Sequence, residues 1–269
     1  MPKTGVPAVK TQLLPELRAM HGQAVTVDGE RGRLTFAAAS SPAAKSAPAD
    51  SAGKAAAVRG PIRSPSVPVE LLINIIDPSQ LEGFDWTGVA GVGLYRTESL
   101  FVQRHDDFPS EQQQYQTYRR LFELCGDRPI TFRTADIGGD KAVSYLSIGS
   151  EPNPYLGLRG PRLYRFHPDL VTTQLQAVLR AADGRDNLNI LYPMINCIDD
   201  WQDLQVLYGE SADLLRREGV ELPERVGQGI LIETPSAALD FERFLDVIDF
   251  FSIGTNDLVQ YLFAVDRNN

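Results

Sequence analysis

The chain has 269 residues, enough for one large α/β domain or two smaller ones with a substantial apolar core. Its net charge of −9 excludes a general nucleic-acid-binding protein, because such proteins present basic surfaces to the phosphate backbone. Apolar residues make up 43% of the chain, and no apolar run approaches the ~20 residues that span a membrane. The first residues do not resemble a secretory leader, so we expect no membrane partner and a cytoplasmic location.

The first 68 residues predict two segments of different character. Residues 1–36 contain two strand-like runs, 23–29 and 32–36, around an Asp28-Gly29 turn signal, which predicts a small β-hairpin. Residues 37–68 contain 24 Ala, Ser, Pro or Gly residues, and their five prolines oppose a long helix. We interpret residues 37–68 as a flexible linker and residues 1–36 as a remnant that needs a packing partner.

From residue 69 onward, short apolar runs alternate with amphipathic helical runs. Six of these runs predict strands, at residues 71–76, 89–95, 130–132, 189–194, 229–232 and 250–253. One helix between them begins with a capping box, in which Ser110 precedes Gln113 by three residues. The sixth strand is apolar enough to be buried on both faces. The alternation predicts an α/β fold with a parallel sheet covered by helices.

Polar side chains follow four of these strands at their C-terminal ends, where ligands bind in parallel α/β folds. Arg96 and Arg133 follow two strands, and Glu233 and Asp257 follow two others. Two guanidiniums and two carboxylates at one end of a sheet suggest a bound anion and a bound cation. For Asp257 alone, an N-cap of the next helix is an equally good interpretation.

A (β/α)8 barrel of the TIM type is favoured over an open doubly wound sheet, because the candidate ligand residues come from the C-terminal ends of many strands. No Gly-x-Gly-x-x-Gly follows the first strand, so the usual dinucleotide-binding signal is absent. A complete barrel needs eight strands, whereas only six are found. We therefore predict an incomplete barrel over residues 69–269 that lacks its last two strands and has unpaired edges on its first and sixth strands. Cys125 is expected in the core, and Cys197 is expected to pack near a helix start.

Five segments in order resemble the phosphoenolpyruvate-utilising enzymes. They are Gly91-Val-Gly-Leu-Tyr-Arg-Thr-Glu98, Arg133-Thr-Ala-Asp-Ile-Gly-Gly-Asp-Lys141, Asn153-Pro-Tyr-Leu-Gly-Leu-Arg159, Glu233-Thr-Pro-Ser-Ala237 and Phe251-Ser-Ile-Gly-Thr-Asn-Asp-Leu258 with Asp266-Arg267. The segment ending at Lys141 is most similar to the phosphoenolpyruvate–protein phosphotransferases of the bacterial sugar phosphotransferase system. Residues 1–36 faintly resemble the end of that family's mobile phosphohistidine domain.

The resemblance implies an enzyme that transfers a phosphoryl group from phosphoenolpyruvate to a histidine and releases pyruvate. It implies a Mg²⁺ cofactor, a small histidine-containing phosphocarrier protein as partner, and dimerisation through the barrel. The implied substrate-binding residues are Arg96, Arg133, Asn256, Asp257 and Arg267, and the implied metal ligands are Glu233 and Asp257. Lys141 and Arg159 are secondary candidates, because surface or structural pairing explains them nearly as well.

Two segments that carry chemistry in the family have no match here. His21, His105 and His167 all lie outside the family's acceptor-histidine motif, and no Gly-x-Cys-Gly-Glu segment supplies its acid–base cysteine. We therefore expect this chain to be inactive alone. Two alternatives remain open: a Mg²⁺-dependent pyruvate or oxaloacetate lyase on a similar barrel, and a non-catalytic ligand-binding fragment.

Overall fold

The structure is a computed structural model that describes residues 8–10, 25–28, 33–36, 70–102, 107–139, 146 and 151–266. The predicted linker at residues 37–68 lies outside the described residues, as do Lys141 and Arg267. Those predictions, together with the domain boundaries drawn from them, stay predictions.

A seven-stranded sheet is the main feature of the fold, with the strand order β1-β4-β5-β6-β7-β8-β9. Its strands are β1 (Ala8–Lys10), β4 (Glu70–Ile75), β5 (Gly91–Arg96), β6 (Ile130–Arg133), β7 (Leu188–Tyr192), β8 (Gly227–Ile232) and β9 (Phe250–Ile253). Each strand from β4 to β9 pairs in parallel with the next one along the chain. The six predicted strands are confirmed, and they form the partial (β/α)8 barrel that the alternation predicts.

Helices follow the parallel strands and cover one face of the sheet. They are α1 (Glu98–Val102), α2 (Glu111–Cys125), α3 (Pro161–Tyr164), α4 (Pro168–Ala182), α5 (Ile198–Arg217), α6 (Pro235–Leu239) and α7 (Thr255–Phe263). The predicted capping box of α2 is confirmed, because Ser110 Oγ accepts from the Gln113 N–H while the Gln113 side chain accepts from the Ser110 N–H. Such reciprocal bonds fix where the helix begins.

The main apolar core lies between the sheet and these helices. Side chains alternate along each strand, so one set faces the helices and the other faces the opposite side of the sheet. The helix-facing set joins α2, α4 and α5 in one continuous cluster that includes Cys125, as predicted. On the opposite face, Leu191, Leu231 and Phe250 form a small second cluster with Leu94. The core thus fixes the strands, and the strand ends carry the polar residues.

One prediction about the edges of the sheet and one about the burial of its last strand are wrong. The first barrel strand, β4, does not have a free edge, because β1 occupies that position in the strand order. The sixth strand, β9, is not buried on both faces, because Ile253 is 59% exposed. β9 is the last strand of the sheet that the described residues form, so it has β8 as its one strand neighbour there.

The predicted hairpin near the N-terminus is confirmed as a separate two-stranded sheet. It consists of β2 (Val25–Asp28) and β3 (Arg33–Phe36). The two strands are antiparallel, with Val25 opposite Phe36 and Asp28 opposite Arg33.

Candidate active site

Two arginines stand side by side at the C-terminal ends of β5 and β6. Arg96 is the last residue of β5, Arg133 is the last residue of β6, and the register pairs them directly. Adjacent strands lie about 4.8 Å apart, so the two side chains leave the sheet as close neighbours. The Arg96 side chain is 47% exposed and the Arg133 side chain is 7% exposed, so one guanidinium faces solvent and the other is buried.

Glu98 lies between these two like charges and binds both. Arg133 Nη2 donates to Glu98 Oε1 at 2.5 Å, and Arg96 Nε lies 3.7 Å from Glu98 Oε2. The backbone N–H of Asp136 also donates to Glu98 Oε1, at 3.1 Å. Glu98 was not among the predicted site residues, because an acidic residue in the first turn of a helix is ordinarily explained by the helix dipole.

The Arg133 guanidinium is charged, buried and incompletely paired. Burial by itself lowers the pKa of Arg133, but the carboxylates of Glu98, Asp136 and Glu233 raise that pKa overall, so the group keeps its proton. Its Nε atom is buried and has no hydrogen-bond partner among the described residues. A buried donor on a charged group is costly when unpaired, so an anionic ligand fits this position.

Arg159 joins the loop after β6 to helix α7. Its side chain is fully buried and forms a fork with Asp136, with Nε to Oδ1 at 3.0 Å and Nη2 to Oδ2 at 2.7 Å. Its third nitrogen, Nη1, donates to Asp257 Oδ1 at 3.2 Å and to the Tyr261 hydroxyl at 3.4 Å. Of the two interpretations of Arg159, the structure therefore supports structural ion pairing.

Glu233 follows β8, and its carboxylate lies close to the backbone of Met194 and of Gly254. Its Oε1 accepts from the backbone N–H of Met194 at 2.8 Å. Met194 has a φ of 57°, a backbone conformation that side-chain-bearing residues rarely adopt and that concentrates at functional sites. A Cβ atom on Gly254, which follows β9, would lie 2.7 Å from Glu233 Oε2, so only glycine fits there without movement. Sequence analysis identified Glu233 but gave no role to either backbone partner.

The Glu233 carboxyl is also perturbed electrostatically. Burial, with a smaller contribution from the nearby carboxylates of Asp136 and Asp257, raises its pKa from the ordinary 4.5 to about 7, against the lowering effect of Arg133. A carboxylate that is stripped of water and close to other carboxylates is stabilised by a cation.

Asp257 is the third residue of α7, whose N-cap is Gly254. The interpretation of Asp257 as an N-cap is therefore wrong. Its side chain is nearly buried and receives the Arg159 bond, whereas Asn256 beside it is exposed. The structure thus brings Arg96, Arg133, Glu233 and Asp257 to one end of the sheet and leaves Arg267 outside the described residues.

The donor set fits a hard divalent cation only in part. The described residues contain no group of three or more His, Cys, Asp or Glu arranged to hold a metal ion. Protein sites for Mg²⁺, however, commonly supply one or two carboxylates and leave the remaining positions to substrate oxygens and water. Four carboxylates at this end (Glu98, Asp136, Glu233, Asp257) outnumber three guanidiniums (Arg96, Arg133, Arg159), an excess of negative charge that a bound cation would balance.

The two cysteines lie outside this arrangement of charges. Cys197 is the N-cap of α5, which confirms its predicted place at a helix start. Cys125 is buried in the core, and burial raises the pKa of its thiol to about 12. Neither the hydrogen bonds nor the ion pairs described above involve either thiol.

The charged residues lie at the C-terminal ends of the strands of a partial (β/α)8 barrel, the end at which enzymes of this fold bind their ligands. Comparison with known proteins gives the family. The profile of the PEP-utilising enzyme, PEP-binding domain family matches residues 56–269. The chain therefore belongs to the phosphoenolpyruvate-utilising enzymes through their phosphoenolpyruvate-binding domain.

Named relatives agree with this membership. The chain is 43% identical over 201 residues to the phosphoenolpyruvate-protein phosphotransferase of Priestia megaterium and 41% identical over 201 residues to that of Staphylococcus aureus. It is 42% identical over 201 residues to multiphosphoryl transfer protein 1 of Escherichia coli strain K12. Each match covers 75% of this chain but only 35%, 35% and 24% of these relatives, in that order.

None of the helices in the described residues combines the length and the hydrophobicity that a membrane-spanning helix requires.

Proposed function

We propose that this chain is the phosphoenolpyruvate-binding part of a phosphoenolpyruvate–protein phosphotransferase, and that it binds phosphoenolpyruvate with Mg²⁺ at the ends of β5, β6, β8 and β9. The observation that carries this proposal is the register-paired Arg96 and Arg133, together with a buried Nε on Arg133 that has no partner in the described part of the chain. The substrate carries a phosphate and a carboxylate, and guanidinium forks bind both kinds of oxyanion bidentately.

The two arginines offer the substrate different environments. Arg133 is buried and already bonded to Glu98, so its remaining donors are fixed in direction before the ligand arrives. Arg96 is half exposed and more loosely tied at 3.7 Å, so it is able to close on the ligand after entry. Asn256 and Arg267 complete the proposed substrate contacts, by an amide and by a third guanidinium.

Glu233 and Asp257 are the proposed Mg²⁺ ligands. A bound Mg²⁺ supplies positive charge that stabilises the enolate left when the phosphoryl group departs. Met194 orients Glu233 through its backbone N–H. Arg159, which is held by its fork with Asp136, orients Asp257 through Nη1. Fixed donors in a buried site act most strongly where charge develops, because they need no reorganisation during the reaction.

The relatives' names describe phosphoryl transfer to a protein, and we propose a small histidine-containing phosphocarrier in sugar uptake as the final acceptor. A polypeptide of this sequence alone is expected to bind substrate without turning it over, because none of its three histidines and two cysteines lies in the required motif. Incubation with ³²P-labelled phosphoenolpyruvate and Mg²⁺ tests this. Stoichiometric phosphohistidine or steady pyruvate release would contradict the expected inactivity.

Substrate binding is tested by calorimetric titration of phosphoenolpyruvate in the presence of Mg²⁺. Arg133→Lys keeps the charge but loses the fork, so we expect affinity to fall by about tenfold, the value of one charge-assisted hydrogen bond. Arg225→Lys is the matched control, because Arg225 precedes β8 at the opposite end of the strands and pairs there with Asp249. Equal loss in both variants would contradict the assignment.

The lyase alternative shares the Glu233 and Asp257 pair but does not need the two phosphate-binding arginines. Lyase activity, measured as decarboxylation of oxaloacetate to pyruvate and CO2 and as aldol cleavage of a 4-hydroxy-2-oxo acid to pyruvate and an aldehyde, with and without phosphoenolpyruvate, separates the two functions. Cleavage that survives Arg96→Ala and Arg133→Ala would favour the lyase, whereas tight phosphoenolpyruvate binding without cleavage supports the phosphotransferase.

A further inference from the structure

A buried chain of hydrogen bonds runs from α2 to the ends of β5 and β6. Gln174, on α4, lies at its centre and is 1% exposed. Its Nε2 donates to Thr97 Oγ1 at 3.2 Å and to the Tyr118 hydroxyl at 3.1 Å, and its Oε1 accepts from the Ala135 N–H at 2.8 Å. Thr97 Oγ1 in turn donates to the Arg133 carbonyl at 3.0 Å. The side chains of Thr97, Tyr118 and Gln174 are all buried among packed residues.

The direction of every bond in this chain is forced. A backbone N–H is always a donor, so the Gln174 atom that faces Ala135 must be the carbonyl oxygen. The amide nitrogen therefore faces Thr97 and Tyr118 with both of its protons. Since Thr97 receives a proton, its own hydroxyl proton goes to the Arg133 carbonyl. Tyr118 likewise passes its proton to Gln114 Oε1 at 2.9 Å, and burial keeps its pKa well above the ordinary value, so it stays a donor.

Thr97 supplies the last link between two strands whose ends carry like charges. It follows Arg96 directly, and the carbonyl that it binds belongs to Arg133. The register pairing of Arg96 with Arg133 is the last one between β5 and β6, so beyond it the Thr97 side chain continues the connection. Gln174 then ties Thr97 to Ala135, two residues past Arg133.

We propose that Thr97 and Gln174 are positioning residues that hold the Arg96–Arg133 pair at the spacing that binds the substrate's anionic groups. Neither residue touches the ligand; both act through the backbone of the strand ends. This inference rests on the proposed function for its binding readout. A role in general core packing would not depend on the direction of these hydrogen bonds or on the Arg133 carbonyl, whereas the positioning role depends on both.

The first test compares Thr97→Val with Thr97→Ser. Valine keeps the shape but removes the hydroxyl, so phosphoenolpyruvate affinity with Mg²⁺ is expected to fall about tenfold, the effect of one lost buried hydrogen bond. Serine keeps the hydroxyl and is expected to bind within twofold of the parent. Tyr118→Phe is the control, because it breaks the same buried chain on the side away from the arginines. It is expected to lower stability while leaving affinity within twofold.

Gln174→Glu and Gln174→Met test the direction of the bonds. An ionised glutamate has no proton for Thr97, so Thr97 would donate to it and release the Arg133 carbonyl. Gln174→Glu is therefore expected to weaken binding at least as much as Thr97→Val, by about tenfold or more. Gln174→Met removes both the donor and the acceptor of the amide, and it is expected to lower phosphoenolpyruvate affinity to a similar extent. Binding equal to the parent in Gln174→Met would overturn the proposal, as would a Tyr118→Phe loss as large as that of Thr97→Val.

A readout without ligand separates this proposal from the proposed function. In ¹⁵N-labelled protein without ligand, the buried Arg133 Nε–H is expected to give a slowly exchanging signal, assigned by its loss in Arg133→Lys. Thr97→Val is expected to shift that signal and speed its exchange with water, and Thr97→Ser to restore it. If the parent fails to bind phosphoenolpyruvate but this pattern is seen, the proposed function fails and the positioning role stands. An unchanged Arg133 signal in folded Thr97→Val would overturn the positioning role.

Discussion

Glu233 illustrates at the residue scale how a ligand site works against the stability of its own fold. The carboxyl is buried beside other carboxylates, and its raised pKa reflects the free energy that ionisation costs there. A bound cation removes that cost, whereas the metal-free protein bears it at neutral pH. Two predictions follow from this single side chain, one for metal binding and one for stability.

Glu233→Gln is expected to weaken Mg²⁺ or Mn²⁺ binding by about tenfold or more, because an amide keeps the size of the side chain but loses its charge. Calorimetric titration of the metal measures the change. Glu242→Gln is the matched control, since Glu242 is an exposed residue of the neighbouring 3₁₀ helix Phe241–Phe244. Unchanged affinity in Glu233→Gln would remove Glu233 from the metal site.

The same variant is expected to change how stability depends on pH when no metal is present. The folded pKa of Glu233 is about 7 and the unfolded value is 4.5, so between these values the native protein holds a proton that the unfolded chain has released. The free energy of unfolding therefore falls as pH rises through this window, by on the order of 3 kcal/mol for this group.

Urea denaturation with EDTA at pH 5 and pH 8 measures this effect. Other carboxylates titrate in both proteins, so the informative quantity is the stability of Glu233→Gln minus that of the parent. This difference is expected to favour the variant more at pH 8 than at pH 5. A difference that does not vary with pH would show that Glu233 ionises normally in the folded protein.

At the element scale, the site depends on close contact between the loop after β6 and the loop that carries Arg159. Gly138 and Arg159 form an isolated antiparallel bridge between these loops. Gly138 has a φ of +92°, and a Cβ atom there would lie 2.2 Å from the Leu158 carbonyl oxygen. The absence of a side chain at Gly138 therefore lets the two backbones meet and places Arg159 against Asp136.

Gly138→Ala is expected to lower the free energy of unfolding by about 2–4 kcal/mol, from the left-handed backbone and from the steric overlap together. Gly83→Ala is the control, because Gly83 has a φ of +68° but no atom within 4 Å of a built Cβ. Gly83→Ala is expected to lower the free energy of unfolding by only about 1–2 kcal/mol, because the left-handed backbone conformation is then the one source of strain. Urea denaturation compares the two, and equal losses would show that the loops move apart without penalty.

At the scale of the whole molecule, helix α7 has an inverted burial pattern. Its buried residues are the polar Asp257 and Gln260, while Val259, Leu262 and Phe263 are between 52% and 71% exposed. Ile253 at the end of β9 adds to this apolar surface. Such a surface beside the last strand of a sheet favours association with other polypeptide, since strand edges and apolar patches are the common sites of pairing.

We therefore expect this polypeptide to self-associate in a concentration-dependent manner, which sedimentation velocity measures. Phe263→Glu is expected to shift the distribution toward monomer by placing a charge in the apolar surface. Val206→Glu, at a similarly exposed apolar position on α5, is the control and is expected to leave the distribution unchanged. A monomeric parent at all concentrations would contradict the expectation.

The sequence by itself determined the parallel arrangement of six strands, the helices between them, and the charged residues that follow the strands. These features follow from local rules. Side-chain periodicity predicts the strands and helices, and a capping box marks the helix start at Ser110. The fixed polarity of a βα unit places Arg96, Arg133 and Glu233 at one end of the sheet. The five segments also indicate the family without any information on which residues are in contact. Strand and helix positions needed no long-range information, because each depends on residues within about one turn or one strand.

Only the tertiary structure decided which of these residues touch. The bond between Arg133 and Glu98 spans 35 positions in the chain, that between Gln174 and Thr97 spans 77, and that between Arg159 and Asp257 spans 98. No local pattern specifies such pairs, because an arginine or a threonine at a strand end has the same sequence surroundings whether it is paired or free. The pairing is decided by burial: once packing removes water from the strand ends, a charge or a hydroxyl without a partner costs free energy, so most of these groups pair within the fold.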